Sequence, residues 1–291
     1  MSHLSKKAKR RQLIAWAWNL AALAFILIPI FSLLIGSIQS EKALISNVET
    51  PLPKEITLRN FIVLITGDNT DANYPVQVEH FPRAFLNSAI VSLSTAFLTV
   101  FFGALSAYSL ARLPFRGRNA YSFAVLATRM VPLIALVIPL FITLRNLGLL
   151  NTLTGLIVTQ VGFLLPFTIW LLRAYFESLP GDMEEAARVD GCTRLGTFFR
   201  VVVPLSAPGM SATFVITFLL TWNELLIPIT LGASKEVQTL PVLLSSFISD
   251  YSLQYSIINA TAFLALTPTV ILALLLQKYV VAGLTAGAVK G

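Results

Sequence analysis

Residues 177–209 read ESLPGDMEEAARVDGCTRLGTFFRVVVPLSAPG, the one long polar run held between hydrophobic segments that are each long enough to cross a bilayer. Its local chemistry predicts two short helices. Pro180 and Gly181 stop whatever precedes them, Asp182 can cap a new helix, and Glu185 three residues on can return the bond as a capping box does. A helix is therefore expected from Met183 to Asp190. Gly191 follows where a helix ends on a residue free to take positive φ, and Thr193 can open a second helical stretch that lasts until Pro204. The expected product is a helix-glycine-helix elbow, residues 177–207, facing an aqueous compartment.

The remainder of the chain sets that compartment beside a membrane. Of 291 residues, 56% are hydrophobic and 12% charged, against about a quarter charged in soluble domains; the mean hydropathy is +0.77. An all-α integral membrane protein follows, with lipid as its surroundings. The net charge of +7 does not indicate nucleic acid, because the basic residues are scattered among loops rather than gathered on one stripe. One cysteine, Cys192, excludes an internal disulfide framework, and the histidines His3 and His80 lie far apart in sequence. No metal site is expected.

Six apolar runs reach spanning length: residues 13–38, which carry Pro29, then Ala84 to Ala111, Ala120 to Leu144, Gly155 to Phe176, Pro208 to Leu231 and Ile257 to Val281. The first follows a basic stretch, residues 1–12, and reads as an uncleaved signal anchor because it is too long for a cleaved leader. Six spans place both termini on one side. If that side is cytoplasmic, the inner segments hold fourteen basic residues and the outer ones six, so the positive-inside rule selects N-in and C-in. The elbow is then cytoplasmic. Residues 39–83 form an external loop with six acids and Pro51, Pro53, Pro75 and Pro82, and residues 84–291 form a five-span core ending in a cytoplasmic tail, residues 282–291.

Two sites within the spans carry polar groups that lipid would not accept cheaply. Arg129 lies about 13 Å into span three, beside Pro132 and Pro139, which should kink the helix. It is either a pathway residue or a side chain that snorkels to the interface. In span five, Trp222, Asn223 and Glu224 lie about 24 Å along the helix. An aromatic face and polar groups suit a sugar; the alternative is an interfacial Trp222 and a Glu224 that caps the outer helix end. The axial offset of about 10 Å argues against a direct Arg129–Glu224 ion pair.

Several of these segments resemble those of a known family. Glu185-Ala186-Ala187, three residues, Gly191, nine residues and Val201-x-Val203-Pro204 are similar to the EAA loop of permeases from ATP-binding-cassette (ABC) importers, and Thr57–Phe61 resembles the segment before their second span. Ala107-Tyr108-x-x-Ala111-Arg112-x-x-Phe115-x-Gly117 and the ending Gly283-Leu284-Thr285-x-Gly287-x-Val289-Lys290-Gly291 resemble the smaller permease of maltose-type carbohydrate importers. The resemblance implies a type I importer permease in a bacterial or archaeal inner membrane. It implies partners: a second permease, two ATPase subunits that hold the ATP and Mg, and an extracytoplasmic binding protein. Glu184, Glu185, Ala186, Ala187, Asp190, Gly191 and Pro204 would form the ATPase-coupling element. Gly283, Thr285, Gly287 and Lys290 would belong to a flexible tail that touches the ATPases, and Trp222, Asn223, Glu224 and Arg129 are the candidate pathway residues. The loop between spans five and six would reach the binding protein.

The chain has no G-x-x-x-x-G-K-[ST] sequence, so it cannot hold a nucleotide by that mechanism, and no cofactor of its own is expected. A membrane phosphotransferase needs further aspartates after Asp190-Gly191, and positions 195–204 contain none. The remaining alternative is an ion-coupled secondary transporter, of which six spans would be half a unit.

Overall fold

The computed structural model describes residues 6–46, 53, 55–68, 70, 71, 73–249 and 252–288. Helix α1 (Lys6–Ser37) is followed by α2 (Glu41–Ser46), α3 (Arg59–Thr66) and a 3-10 turn, Val76–His80, that leads into α4 (Phe81–Arg112). Next come α5 (Arg118–Ala127), a 3-10 turn at Thr128–Met130, α6 (Leu133–Asn146) and α7 (Leu153–Ser178). The elbow comprises α8 (Asp182–Val189), α9 (Arg194–Thr197), a π-helical turn at Phe198–Val202 and α10 (Val203–Leu205). Helices α11 (Ala207–Trp222), α12 (Leu226–Leu231) and α13 (Leu240–Ser246) precede a two-residue antiparallel ladder, β1 (Ile248–Ser249) with β2 (Ser252–Leu253), and α14 (Tyr255–Ala288) closes the order.

Among the described residues, four helices are long and apolar enough to cross a membrane, and up to six spans result if each of two sharply bent pairs counts as one. The chain is thus the all-helical, multi-span protein that its composition predicts. Span three differs in detail from the expected kinked helix. It is broken, with α5 and its 3-10 turn meeting α6 at 92°. Val131 and Pro132 are both extended, with ψ of 120° and 132°, because a proline drives the preceding residue out of the helical region. Pro139, in contrast, is accommodated inside α6, which continues past it to Asn146. Span five is also interrupted, at Asn223–Leu225, between α11 and α12.

The described residues fall into two compact units. The larger, from His80 to Ser245 with the chain from Pro268, is built on α4. A stripe of small buried residues, Ser88, Ser92, Thr95, Ala96, Thr99, Gly103, Ala104 and Ala107, runs down that helix. In lipid, helices associate by close packing of such residues rather than by expelling water. The stripe lets α7 approach until a Cβ at Gly103 would lie 2.6 Å from Thr168 Cγ2. Near the elbow the packing becomes apolar and aromatic: Leu110 of α4, Leu172 and Phe176 of α7, and Phe198 and Val202 of the π turn form one core. A second core, including Val91, Leu144, Leu156, Ile227 and Leu231, joins α4, α6, α7 and α12.

The smaller unit, the chain up to Glu79 with Ser246–Thr267, is tied by polar groups. Asn60, within the Thr57–Phe61 segment, is buried and donates to the carbonyls of Ser37 and Gln39, each at 2.8 Å, while its own oxygen accepts from the Tyr74 hydroxyl. Burial pushes the Tyr74 phenol up, so it remains a donor across the physiological range. The Glu41 carboxylate accepts from the Tyr255 and Ser256 amides at 3.1 and 2.8 Å, capping the start of α14. Gly36 lies directly against Asn259, where any side chain would collide.

The tail departs from the expected flexible segment. Helix α14 continues through Ala288, and Gly283, Thr285 and Gly287 lie on it, while Lys290 is outside the described residues. Adding residues to a formed helix brings one hydrogen bond per residue fixed. The alanines and Leu284 between the glycines favour that extension.

Candidate coupling elbow and pathway residues

The elbow is a helix with a defined joint at each end. At its start, Leu179 is extended (ψ 141°) and Gly181 occupies the N-cap with no side-chain bond to the helix. The amides of Glu184 and Glu185 donate to the Gly181 carbonyl at 2.9 and 3.1 Å. The predicted capping box therefore does not form. Asp182 sits one position inside the helix, where its charge, with those of Glu184 and Glu185, favours the positive end of the helix dipole. At the other end Gly191 has φ +88°. Its amide donates to Arg188 O at 3.1 Å and that of Cys192 to Ala187 O at 3.0 Å, the paired closure of a Schellman motif. Thr193 then caps α9, its hydroxyl accepting from the Gly196 amide at 3.1 Å.

The π turn after α9 has its cause in Pro204. A proline has no amide to donate into the preceding turn, and one inserted residue relieves the helix, the Val203 amide reaching back five residues to Phe198 O. The chain then turns through 77° into α11.

The side chains of the elbow divide by environment. Glu185, Ala186, Asp190, Gly191 and Pro204 are exposed and Ala187 is half-buried. Beside them Met183, Leu195 and Val189, the last 88% exposed, offer apolar surface that polar-pattern reasoning passed over. Glu184 is the exception, only 9% exposed. Arg112 Nε donates to its Oε1 at 2.7 Å and the Tyr108 hydroxyl to its Oε2 at 3.2 Å.

The membrane-depth candidates are not gathered at one point. Arg129 donates to the Phe163 carbonyl at 2.8 Å and its guanidinium lies 4.4 Å from the centroid of the same residue's ring. It borders a mainly apolar cavity of about 330 Å³ between α6 and α7, with Leu136, Leu140, Val158 and Gly162. Glu224 Oε1 accepts from the Leu226 and Ile227 amides at 2.9 and 3.2 Å, capping α12. Arg129 and Glu224 each have other partners and do not pair. Asn223 is exposed and its amide donates to Leu219 O at 2.8 Å, closing α11. Trp222 is buried in this conformation: it is 3% exposed, stacked on Phe218 at 5.5 Å and edge-on to Phe85 at 5.7 Å, so its ring is not open to a sugar here. Its covering neighbours, Phe85 and Phe218, come from α4 and α11 and are brought together only by packing.

This geometry has counterparts among known proteins. The chain is 36% identical over 268 residues, 91% of both chains, to the arabinooligosaccharides transport system permease protein AraQ of Bacillus subtilis (strain 168). It is 37% identical over 242 residues to the trehalose transport system permease protein SugB of Mycobacterium tuberculosis (strain CDC 1551 / Oshkosh), covering 82% of this chain and 84% of that one. Among solved structures, a chain of a bacterial ABC transporter involved in the import of the acidic polysaccharide alginate shares the fold, with a TM-score of 0.77 at 24% identity over 96% of this chain and 99% of that one. Residues 99–285, which run from the middle of α4 through the elbow to the end of α14, match the family described as the binding-protein-dependent transport system inner membrane component. By these sequence matches, the chain belongs to the family of binding-protein-dependent transport system inner membrane components.

Proposed function

We propose that this chain is a permease subunit of an ABC importer for a sugar or polyol, which with a second permease encloses the translocation path. An external binding protein delivers the cargo, and two ATPase subunits, holding ATP and Mg, drive the cycle by docking on the elbow. In this scheme the protein lies in the inner membrane of a bacterium or archaeon, with the elbow on the cytoplasmic side, the side that the excess of basic residues favours. The observation that carries the reading is the elbow itself. Helix α8, with exposed Met183 and Val189 beside the small residues Ala186 and Ala187, and α9, with exposed Leu195, present apolar surface in a polar segment, the mark of a surface that another protein covers. Relatives named for arabinooligosaccharides, trehalose and sulfoquinovosyl glycerol support a carbohydrate as the cargo class.

The chain itself performs no catalysis in this scheme. Its contribution is a path that opens to one side at a time, with Asn223, Glu224 and Arg129 as the candidate polar groups along it and the α14 tail as a further ATPase contact. Reconstitution of the assembled complex in vesicles tests the scheme. Uptake of the sugar carried by the binding protein should require ATP inside the compartment that the elbow faces. Uptake driven by a proton or sodium gradient without ATP would support the secondary-transporter reading instead.

A further inference from the structure

We infer that Arg112 is the positioning residue that makes α8 and the ends of α4 and α7 move as one body. The inference rests on the elbow's role as the ATPase docking element. Left to its own joints, α8 would be a loose lever: Pro180-Gly181 precedes it and Gly191, at φ +88°, follows it. A push on α8 would then be absorbed by rotation at those joints rather than reach the spans. One guanidinium prevents this. Arg112, in the last turn of α4, donates through Nε to Glu184 Oε1 on α8 at 2.7 Å and through Nη2 to the carbonyl of Leu179, the C-cap of α7, at 2.9 Å.

The second oxygen of Glu184 is held from the same helix, by Tyr108 one turn earlier. Tyr108 is in turn packed 4.9 Å from Phe198 in the π turn and edge-on to Phe176 of α7 at 6.4 Å. Three helices and the far side of the elbow thus meet on two side chains of α4. The positive-inside rule explains why an arginine can stand at the end of α4, but it asks only for charge. Arg116 satisfies that rule while exposed. Arg112 is instead largely buried, 21% exposed, and uses a planar fork in two directions, which lysine cannot reproduce.

The substitution R112K therefore separates the two roles, since it keeps the charge and loses the fork. The test uses the assembled complex with C192S as background and spin labels at two exposed positions, Arg116 beyond α4 and Asp182 on α8. With Arg112 present, the distance between labels should form a single population that addition of Mg-ATP leaves unchanged. In R112K a second, longer population should appear with Mg-ATP at full occupancy of the ATPase subunits, and E184Q should do the same more weakly. A single unchanged distance in both variants would overturn the inference, as would a distance that already shifts with Arg112 in place. If R112K fails to assemble, E184Q decides alone. Failure of the functional reading shows separately, as ATPase subunits that do not bind the unsubstituted chain; the latch is then read from the label distances in the chain without partners.

Discussion

Gly209, in the first turn of α11, lies against the ring of Tyr175 so closely that a Cβ there would stand 2.6 Å from two ring carbons and 2.7 Å from a third. The contact fixes the depth at which the elbow enters its next helix. A flat aromatic ring held at that distance cannot yield as a flexible chain end does. Gly209→Ala should force α11 away from α7 and destabilise the chain by about 1 to 3 kcal/mol, the usual cost of overpacking. Thermal unfolding in detergent measures it, and Tyr175→Leu in the same chain should recover much of the loss. An unchanged melting temperature for Gly209→Ala would show that the contact relaxes freely.

Gly191 invites a different substitution, because nothing lies within 4 Å of a Cβ built there. Its constraint is purely the backbone. Gly191→Ala should cost about 1 to 2 kcal/mol of local stability through its left-handed conformation, and Gly191→Asn less, since asparagine visits that region more readily. Import per assembled complex should fall in the order Gly, Asn, Ala. Equal import by all three would remove the joint from the coupling path.

For Glu224, the observed cap predicts a split between two variants. Glu224→Gln retains an oxygen that can accept from the Leu226 and Ile227 amides, so assembly should be intact. Glu224→Ala loses the cap and should lower stability by roughly 0.5 to 2 kcal/mol. Transport by the glutamine variant reads the charge alone. It should decrease if the carboxylate borders the path, and wild-type transport would confine Glu224 to capping.

Val189→Asp tests the docking face. The side chain is almost fully exposed, so the chain's own stability should change by no more than about 0.5 kcal/mol. Binding of the ATPase subunits should weaken by roughly tenfold, the effect of a buried apolar contact replaced by a charge. Pull-down titration against purified ATPase subunit provides the measurement, and undiminished binding would move the interface away from α8.

The parts of this protein that were legible in its sequence are those set by residues close to one another along the chain. Gly191 and Thr193 are read correctly because φ sign and N-capping are local properties, and the spans are read because hydropathy sums over a window. Glu184 reads in the sequence only as one of the coupling residues, since nothing near it reveals Arg112, 72 residues away. Trp222 looked available for the same reason, its covers Phe85 and Phe218 being visible only once α4 and α11 pack. Pro132 announced an irregularity, yet whether the chain kinks slightly or turns by 92° depends on what the next segment packs against. The tail was misjudged by weighing its glycines and not the long helix already formed before them.

The Glu41 cap on α14 has a consequence for how the protein is made. Its two partners, Tyr255 and Ser256, are translated 214 and 215 residues after it. At ribosomal speeds of about 5 to 20 residues per second, the carboxylate waits about 10 to 40 s for the amides it will hold. Until then Glu41 has no α14 amide to hold, and when the final helix emerges its amino end has a docking point already made. The last long helix to leave the ribosome is thereby registered against one of the first segments made.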